Sequence, residues 1–596
     1  MLKALYDYSV MEGLMPPPGY SDTTVRAYIS VSADGKFIDI EEGGTEPIAA
    51  PDMGPAKQAK DKCNVLIEKR SVVTVRNTLK NDFFLNALKD GSLIEPMLSS
   101  CVAVLESPDE LDRICKRLDE KKIKSGDRVS FIVDGESILE SKPVLEWWKK
   151  FRRQYIKSDD SDKTLCLISG EETVPLITTS KIQGLKAVGG HASGDAIICF
   201  DQPAYCSYNL KQGANAPVSE EAYAAVKSAL DNLLRDAPKL AGMKFVHWYD
   251  CNIEKEYDPF FDEDIFGIDA NTVEAENTDE TGISGQEDEP VPDESYDKDR
   301  AHELRRDADS LIKSVKSGET ALISDNAAYY ILLLSGVNSR VMIRRYEHGS
   351  YDDLQKKIQL WRDDLQLTNG NGSAYIKPAK LNVRLMRLLK YRKNDKKKIF
   401  DRMADELPTL IPSVVNSILN GGALPDTVAY RALAFIKSAM MSADEDTSMA
   451  LYGKDAVVWQ WIKVWLIRNK GKRGMIMSEY NPDYKSNAYQ CGAIMAVFEA
   501  IQRAAMPDVN ASIVQRYYSS AIQTPAYVIG TLSKMSRHHL DMIPSDKKYL
   551  AVKYSKMLEE VGNRIDPASI PNTLTLTQQS EFAIGYYQMR AMIYKA

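Results

Sequence analysis

The sequence predicts an α+β protein in which a mixed α/β N-terminal domain is followed by an all-α C-terminal helical bundle. Alternating apolar residues, closed by turns that contain glycine, indicate strands among helices in residues 1–253. Helical periodicity alone continues through residues 376–596. An acidic run at 254–300 precedes residues 301–370, which return to the mixed pattern and continue the α/β domain.

The N-terminal domain is predicted to begin its sheet with a hairpin. "TVRAYISVSADGKFIDI" alternates apolar and polar residues on both sides of Asp34-Gly35, a dipeptide typical of tight hairpin turns. "VSFIVDG" and "TLCLISG" are apolar runs that end in glycine, and we expect strands there. "ESKPVLEWWKKFRRQYIK" and "SEEAYAAVKSALDNLLRDA" have helical spacing, and Ser219 is the expected N-cap of the second helix.

Charge is segregated along the chain. Residues 254–300 hold 18 acidic and 3 basic side chains, so they carry a net charge of −15 and leave +7 for the rest. We expect a solvated, partly disordered insertion there, with an acidic mimic of nucleic acid as the alternative. Residues 375–596 hold 31 basic and 19 acidic side chains, a net charge of +12. This basic third of the chain indicates a polyanionic partner.

Beyond the acidic run, the pattern changes from mixed to helical. "AAYYILLLSGVNSRVMIRRYEHGSYDDLQKKIQLWRDDL" predicts strand, turn, strand and helix, and the loop "TNGNGSAYIKPAK" marks the boundary. In "CGAIMAVFEAIQRAAM" one helical face collects apolar residues, which predicts a core-facing stripe. The stripe comprises Ile494, Val497, Phe498 and Ile501.

Two helix starts in the bundle carry capping signals. Thr524 is the expected N-cap of a helix whose first residue is Pro525, because proline needs no N–H partner at that position. Thr575 and Gln578 have the spacing of a capping box. Both signals predict where helices of the bundle begin.

The run "GGHASG" at 189–194 raises the question of an enzyme. It lacks the G-K-[ST] ending of a phosphate-binding loop, the G-x-G-x-x-G pattern and the G-x-S-x-G nucleophile elbow. We interpret it as a tight turn entering a strand, with glycines at positive φ. The eight cysteines are scattered without a C-x-x-C pair, which predicts buried thiols and argues against a zinc site. We expect no catalytic residue, metal or cofactor; a nucleotide-handling or nuclease enzyme that uses loop 189–217 is the alternative.

Basic clusters with interleaved aromatic residues favour nucleic-acid binding. Lys and Arg neutralise phosphates and release counterions, while aromatic rings stack on unpaired bases. For each cluster, a solvated helix face is the alternative. The N-terminal cluster comprises Lys149, Lys150, Arg152 and Arg153 beside Trp147, Trp148 and Phe151. The C-terminal clusters comprise Lys390, Arg392, Lys393, Lys396, Lys397 and Lys398, then Arg468, Lys470, Lys472 and Arg473.

Four stretches resemble a known family: "GGHASGDAIICFDQPAYCSYNLKQGANAPVSEEA", "YYILLLSGVNSRVMIRRYEHGSYDDL", "NPDYKSNAYQCGAIMAVFEAIQRAAMPDVNASIVQRYYSSAIQTPAYVIGTLSKMSRHHL" and "TLTLTQQSEFAIGYYQMR". The family is the large subunit of the type I-C CRISPR Cascade. The resemblance implies a non-catalytic subunit that recognises the PAM on double-stranded DNA, opens the duplex and stabilises the R-loop in antiviral defence. The implied partners are the crRNA-bound Cascade backbone, the crRNA 5′-end subunits, the target duplex with its displaced strand, and the helicase-nuclease.

Given this resemblance, the loop "NLKQGANAP" is expected to face duplex DNA or a partner subunit. Gln212 and Asn215 suit the minor-groove acceptors of A·T pairs. A second candidate loop for duplex DNA contains Arg70, Arg76, Asn77 and Lys80. Turn chemistry is an equal alternative for these positions. A pure protein scaffold, without PAM dependence, is a further alternative function.

The resemblance also implies a small subunit made from an internal start in the same gene. Met475 and Met477 precede the part of the bundle that resembles it, and a start at Met477 gives residues 477–596. Copies would line the displaced strand through basic residues, namely Arg503, Arg516, Lys534 and Arg537. The N-terminus is interrupted by charges and prolines, and no run approaches the ~18 apolar residues of a membrane span, so we expect a cytoplasmic protein.

Overall fold

The computed structural model divides into two compact units. Unit 1 comprises Met1–Ala237 and Ser335–Met342, and unit 2 comprises Pro238–Leu334 and Ile343–Ala596. The predicted insertion at 254–300 lies outside the described residues except for 258–260, and the predicted domain boundaries stay predictions. The structure describes residues 1–15, 19–155, 163–200, 202–205, 210, 212–253, 258–260, 327–376, 379–390, 392, 397–442, 445–507, 509 and 511–595.

Unit 1 combines helices and strands, as predicted for the N-terminal part of the chain. Its helices are α1 (Leu2–Met11), α2 (Arg70–Thr74), α3 (Leu79–Ser92), α4 (Pro96–Glu106), α5 (Pro108–Glu120), α6 (Lys142–Arg153) and α7 (Glu220–Asp236). Its strands are β1 (Tyr20–Thr23), β2 (Ala27–Val31), β3 (Phe37–Glu42), β4 (Ile48–Pro51), β5 (Glu68–Lys69), β6 (Arg128–Val133), β7 (Glu136–Ser137), β8 (Thr164–Leu165) and β9 (Glu172–Thr173).

A five-stranded sheet carries the core of unit 1. Its order is β3-β2-β6-β5, and β7 pairs with β6. β2 and β3 form the predicted antiparallel hairpin, whose turn uses Gly35 at φ +79°. β6 is the strand predicted from "VSFIVDG", and it pairs in parallel with β2. The strand predicted from "TLCLISG" is limited to β8, because the chain turns at Gly170 (φ +79°) to pair with β9.

The glycine-rich turn is explained by a close backbone approach. Gly189 has φ +87°, as predicted, and a Cβ on Gly336 would lie 2.1 Å from the Cα of Gly190. Only glycines allow two backbones this close. The strand expected to follow is wrong, because Asp195 and Ala196 form only isolated bridges. Asp195 pairs with Ile182 and Ala196 pairs with Arg340, one residue each. The turn therefore connects neighbouring backbone segments and does not lead into a regular strand.

Unit 2 has one sheet and a large set of helices. Its strands are β10 (Lys239–Leu240), β11 (Met243–Tyr249), β12 (Ala328–Val337) and β13 (Arg340–Ser350), of which Ser335–Met342 are counted with unit 1. Its helices are α8 (Tyr351–Leu365), α9 (Leu381–Met386), α10 (Ile399–Glu406), α11 (Leu410–Asn420), α12 (Asp426–Met440), α13 (Glu445–Ala450), α14 (Val457–Lys470), α15 (Asn487–Ala505), α16 (Ile513–Ala521), α17 (Pro525–Met542), α18 (Lys548–Gly562) and α19 (Leu576–Ile593). The described part of the chain from residue 379 onward is helical, as predicted.

The sheet of unit 2 runs in the order β10-β11-β12-β13. β12, β13 and α8 confirm the predicted strand, turn, strand and helix. The turn places Asn338 and Ser339 at φ +50° and +60°, the left-handed pair that joins twisted strands tightly. β11 pairs antiparallel with β12, and Trp248 lies opposite Tyr330 with stacked rings.

α15 and α19 form the centre of the helical bundle. The predicted stripe on α15 is buried, but so are the other residues from Ala488 to Gln502, so a one-sided face was too narrow a prediction. Glycines bring the two helices into backbone contact. A Cβ on Gly492 would lie 1.9 Å from the carbonyl oxygen of Phe582, and a Cβ on Gly585 would lie 2.2 Å from that of Tyr489.

α14 covers another side of α19. The rings of Trp459 and Tyr587 stack with centroids 4.9 Å apart. The hydroxyl groups of Tyr452 and Tyr586 are 2.7 Å apart, and Tyr586 donates to Glu499 at 2.6 Å. Because Tyr586 and Glu499 are buried, α19 is held by polar contacts as well as by apolar packing.

The capping predictions meet different outcomes. Ser219 accepts from the N–H of Ala222, and Thr575 and Gln578 form the predicted capping box. Pro525 begins its helix as predicted, but the Thr524 hydroxyl donates to the Ser520 carbonyl and does not cap. That part of the prediction is wrong because the preceding helix ends close enough to take the hydroxyl. Over the described residues, no helix has both the length and the apolar character needed to cross a membrane.

Candidate nucleic-acid interface

The loop that contains Gln212 and Asn215 is a short 3₁₀ turn seated on the body of unit 1. The N–H of Gly213 donates to the Ile177 carbonyl at 3.0 Å, and a Cβ on Gly213 would lie 1.6 Å from the Leu176 carbonyl oxygen. Only glycine therefore lets the turn pack this closely against the backbone at Leu176 and Ile177. Gln212 itself is exposed and has φ +45°.

The two predicted side chains of this loop have different freedom. The Asn215 amide donates to the carbonyl oxygens of Gln212 at 3.0 Å and Leu210 at 3.3 Å. These bonds close the turn. Asn215 thus has the turn-forming role that was the alternative to DNA contact. The exposed Gln212 carboxamide is the better placed of the two for a groove of DNA. Base readout by either residue stays a prediction.

The second predicted loop gathers Arg70, Arg76, Asn77 and Lys80 between β5 and the first turn of α3. The Arg70 guanidinium donates to the Ile123 carbonyl at 2.5 Å and pairs with Asp119 at 2.6 Å, and its side chain is only 14% exposed. Arg70 therefore fixes local structure. Asn77 is exposed at φ +59°, while Arg76 and Lys80 are half-buried. DNA contact by these four residues stays a prediction.

The basic side chains of α6 do not form the predicted aromatic-basic cluster. Trp147, Trp148 and Phe151 are buried in the core of unit 1, so their rings are closed to incoming bases. Arg152 is also buried and forms an ion pair with Glu220. α6 is an amphipathic helix, with an apolar face in the core and a basic face at the surface. The aromatic residues belong to the apolar face, so they do not lie with the exposed lysines.

The 390–398 cluster surrounds the end of α10. Glu406 accepts the Lys390 N–H at 3.0 Å and faces three guanidinium groups, those of Arg392, Arg402 and Arg431, at 3.4–3.7 Å. Lys397 forms an ion pair with Asp405, and Lys398 is exposed. Lys393 and Lys396 lie outside the described residues. Part of the positive charge of the described residues is thus neutralised within the chain, and Lys398 faces solvent.

The cluster after α14 is also tied to acids. Buried Asp364 pairs with Arg468 at 2.9 Å and with Arg473 at 2.6 Å. Lys472 lies 3.7 Å from Glu581, and the Lys470 ammonium is 5.1 Å from the centre of the Trp465 ring. These contacts fasten the segment between α14 and α15. Lys470 is exposed, whereas the half-exposed Arg473 is already paired with Asp364.

The strongest arrangement for nucleic acid is the α17–α18 surface, which we define by Tyr527, Lys534, Arg537, Tyr549 and Lys556. All five side chains are exposed, and the two tyrosines are 82% and 68% exposed. Lys534 and Arg537 are three residues apart and share a helix face. Exposed cations and exposed aromatic rings on the same two helices are a combination that suits single strands.

Of these five residues, only Lys534 and Arg537 were predicted from the sequence, and the two tyrosines and Lys556 were missed. The missed signal is a tyrosine on the polar side of a helical stripe, opposite Val528 and Leu532. The other two predicted cations lie on neighbouring helices. Arg503 is exposed in the last turn of α15, and Arg516 is exposed on α16.

Comparison with known proteins identifies the family. A model for CRISPR-associated protein (Cas_Csd1) matches residues 2–594, so the match spans both units and all four stretches singled out in the sequence. Comparison with curated proteins gives no match. The chain therefore belongs to the Cas_Csd1 family of CRISPR-associated proteins, the large subunits of type I-C Cascade.

Proposed function

We propose that this Cascade subunit recognises the PAM on double-stranded DNA, helps to open the duplex, stabilises the R-loop and recruits the helicase-nuclease. Guide pairing then reads the remaining sequence, as in other RNA-guided systems. The observation that carries the proposal is the α17–α18 surface, because exposed tyrosines and exposed cations on the same two helices suit a displaced strand. In this proposal the subunit acts by binding, without catalysis.

The test is target binding by the assembled guide complex with and without this subunit. Duplexes with a functional or a scrambled PAM are compared at one salt concentration, because phosphate contacts make affinity strongly salt-dependent. We expect PAM discrimination to disappear when the subunit is omitted. Unchanged discrimination would leave a protein scaffold as its role.

Gln212→Ala should weaken binding of PAM-bearing duplex by about tenfold, since one good base contact contributes about 1–3 kcal/mol. Binding of single-stranded target should not change, because it offers no duplex groove. Gln154→Ala, an exposed glutamine at the end of α6, is the matched control. Asn215→Ala would also open the turn, so a melting temperature must accompany it. Equal losses on duplex and single strand would exclude readout at this loop.

Lys534→Gln with Arg537→Gln should weaken binding of single-stranded DNA and flatten its salt dependence. Two lost phosphate contacts correspond to a decrease of about 1.4 in the slope of log K against log salt concentration. The measurement is a salt titration with a fluorescent oligonucleotide. Lys356→Gln with Lys454→Gln removes the same charge from exposed positions of unit 2 and is the control. If both pairs of substitutions give the same slope, the α17–α18 surface is not the strand site.

We also propose that translation from Met477 yields a small subunit. Met475 and Met477 are about half-exposed in the segment between α14 and α15. The product would contain α15 to α19, including the glycine-mediated contact at its centre and the α17–α18 surface. Copies of it would extend the same strand-binding surface along the displaced strand.

A further inference from the structure

An open groove in unit 1 lies beside the second predicted loop. It has a volume of about 770 Å³ and runs between α2 and the turn that joins α5 to β6. Ser71 and Thr74 line one wall, and Lys122, Lys124 and Ser125 line the other. Both lysines are exposed.

Arg70 builds the groove. Besides its bonds to Ile123 and Asp119, its backbone N–H donates to the Asp127 carbonyl at 2.7 Å, and the N–H of Ser71 donates to the Ser125 carbonyl at 3.0 Å. These bonds join the two walls. The groove is therefore preformed, and binding of a ligand involves little loss of conformational entropy in its walls.

The lining of the groove is cationic and rich in hydroxyl groups. Arg70 and Asp119 neutralise each other, so the two lysines give the lining a net charge of about +2. Lys122 has φ +57°, in the left-handed region, and Lys122 and Lys124 both line the groove. Lysine, serine and threonine are among the side chains that contact phosphate and sugar in nucleic-acid complexes.

We propose that this groove binds the sugar–phosphate backbone of a nucleic acid through Lys122 and Lys124, with Arg70 as the residue that positions their turn. The inference rests on the proposed function, because Cascade brings both target DNA and guide RNA to this subunit. It changes the predicted role of Arg70, whose guanidinium is engaged within the protein. The phosphate chemistry is shared by the two nucleic acids, so the experiment must separate them.

The test uses the assembled complex with Lys122→Asn and Lys124→Gln in the full-length subunit. Asparagine tolerates the left-handed conformation at 122 better than most residues. If the ligand is target DNA, affinity for PAM duplex should fall about tenfold and the salt slope should decrease by about 1.8, with assembly unchanged. If the ligand is guide RNA, retention of the subunit on the guide complex should fall about tenfold.

Lys181→Gln with Lys186→Gln removes two exposed charges from unit 1 outside the groove and serves as the control. If assembly and DNA binding of the groove variant both equal those of this control, the groove proposal is overturned. The single variant Lys124→Gln, which avoids the left-handed position, should show about half the slope change. The wild-type subunit reports separately on the proposed function: PAM discrimination that is unchanged when the subunit is omitted defeats that proposal, whereas a groove variant equal to the control defeats only this one.

Discussion

Gly585→Ala should destabilise unit 2 by about 3 kcal/mol, near the upper end of overpacking costs. The added Cβ would lie 2.2 Å from the Tyr489 carbonyl oxygen, a backbone atom that cannot rotate away. α15 and α19 would have to separate, and the buried contacts around them would loosen. The measurements are the melting temperature of the full chain and hydrogen exchange in peptides of both helices.

Gly530→Ala is the matched control for this change. Gly530 lies within α17 with nothing within 4 Å of its missing Cβ. Alanine there should stabilise the helix by about 0.5–1 kcal/mol, because glycine loses more chain entropy on folding. The sign of the effect should thus differ between two identical substitutions. Equal stabilities for the two variants would contradict the backbone contact between α15 and α19.

Replacing Met475 and Met477 with leucine should abolish a product of about 13–14 kDa while leaving the full-length subunit intact (about 110 Da per residue in a small domain). Both side chains are exposed, so each change should alter stability by less than about 0.5 kcal/mol. The Asn481 amide donates a hydrogen bond to the backbone oxygen of Met475, and the Gln588 amide donates one to that of Met477. Leucine leaves both backbone oxygens in place. A C-terminal tag and an immunoblot provide the measurement.

Met441→Leu with Met449→Leu is the control for the internal start. These methionines are also exposed but lie upstream of α14. Their replacement should leave both products unchanged, and mass spectrometry of the short product should find Met477 at its N-terminus. Persistence of the short product in the Met475 and Met477 double variant would place the start elsewhere.

Features set by neighbouring residues were predictable from sequence. The β2–β3 hairpin follows from alternation around Asp34-Gly35, and the capping box follows from two residues three positions apart. Pairings between distant segments were not predictable. β11 pairs with β12 about 80 residues further along the chain.

The same difference between near and distant neighbours explains which parts of the candidate site could be predicted from the sequence. Positive charge in a run of residues indicated nucleic acid, but the sequence could not show which cations are already paired. Arg70 meets Asp119 and Arg473 meets Asp364 across long stretches of chain. Conversely, Lys534 and Arg537 looked like an ordinary helix face, and Tyr527, which is exposed on the same helix, was missed.

The stack of Trp459 on Tyr587 has a genetic consequence if translation also begins at Met477. The codon for Tyr587 then serves two polypeptides, and the codon for Trp459 serves one. In the long product the Tyr587 ring is covered by its own chain, whereas in the short product that cover was never translated. A substitution in α19 therefore changes both products at once, although the helix has different neighbours in each. A codon in α19 is then selected for its effect on two proteins.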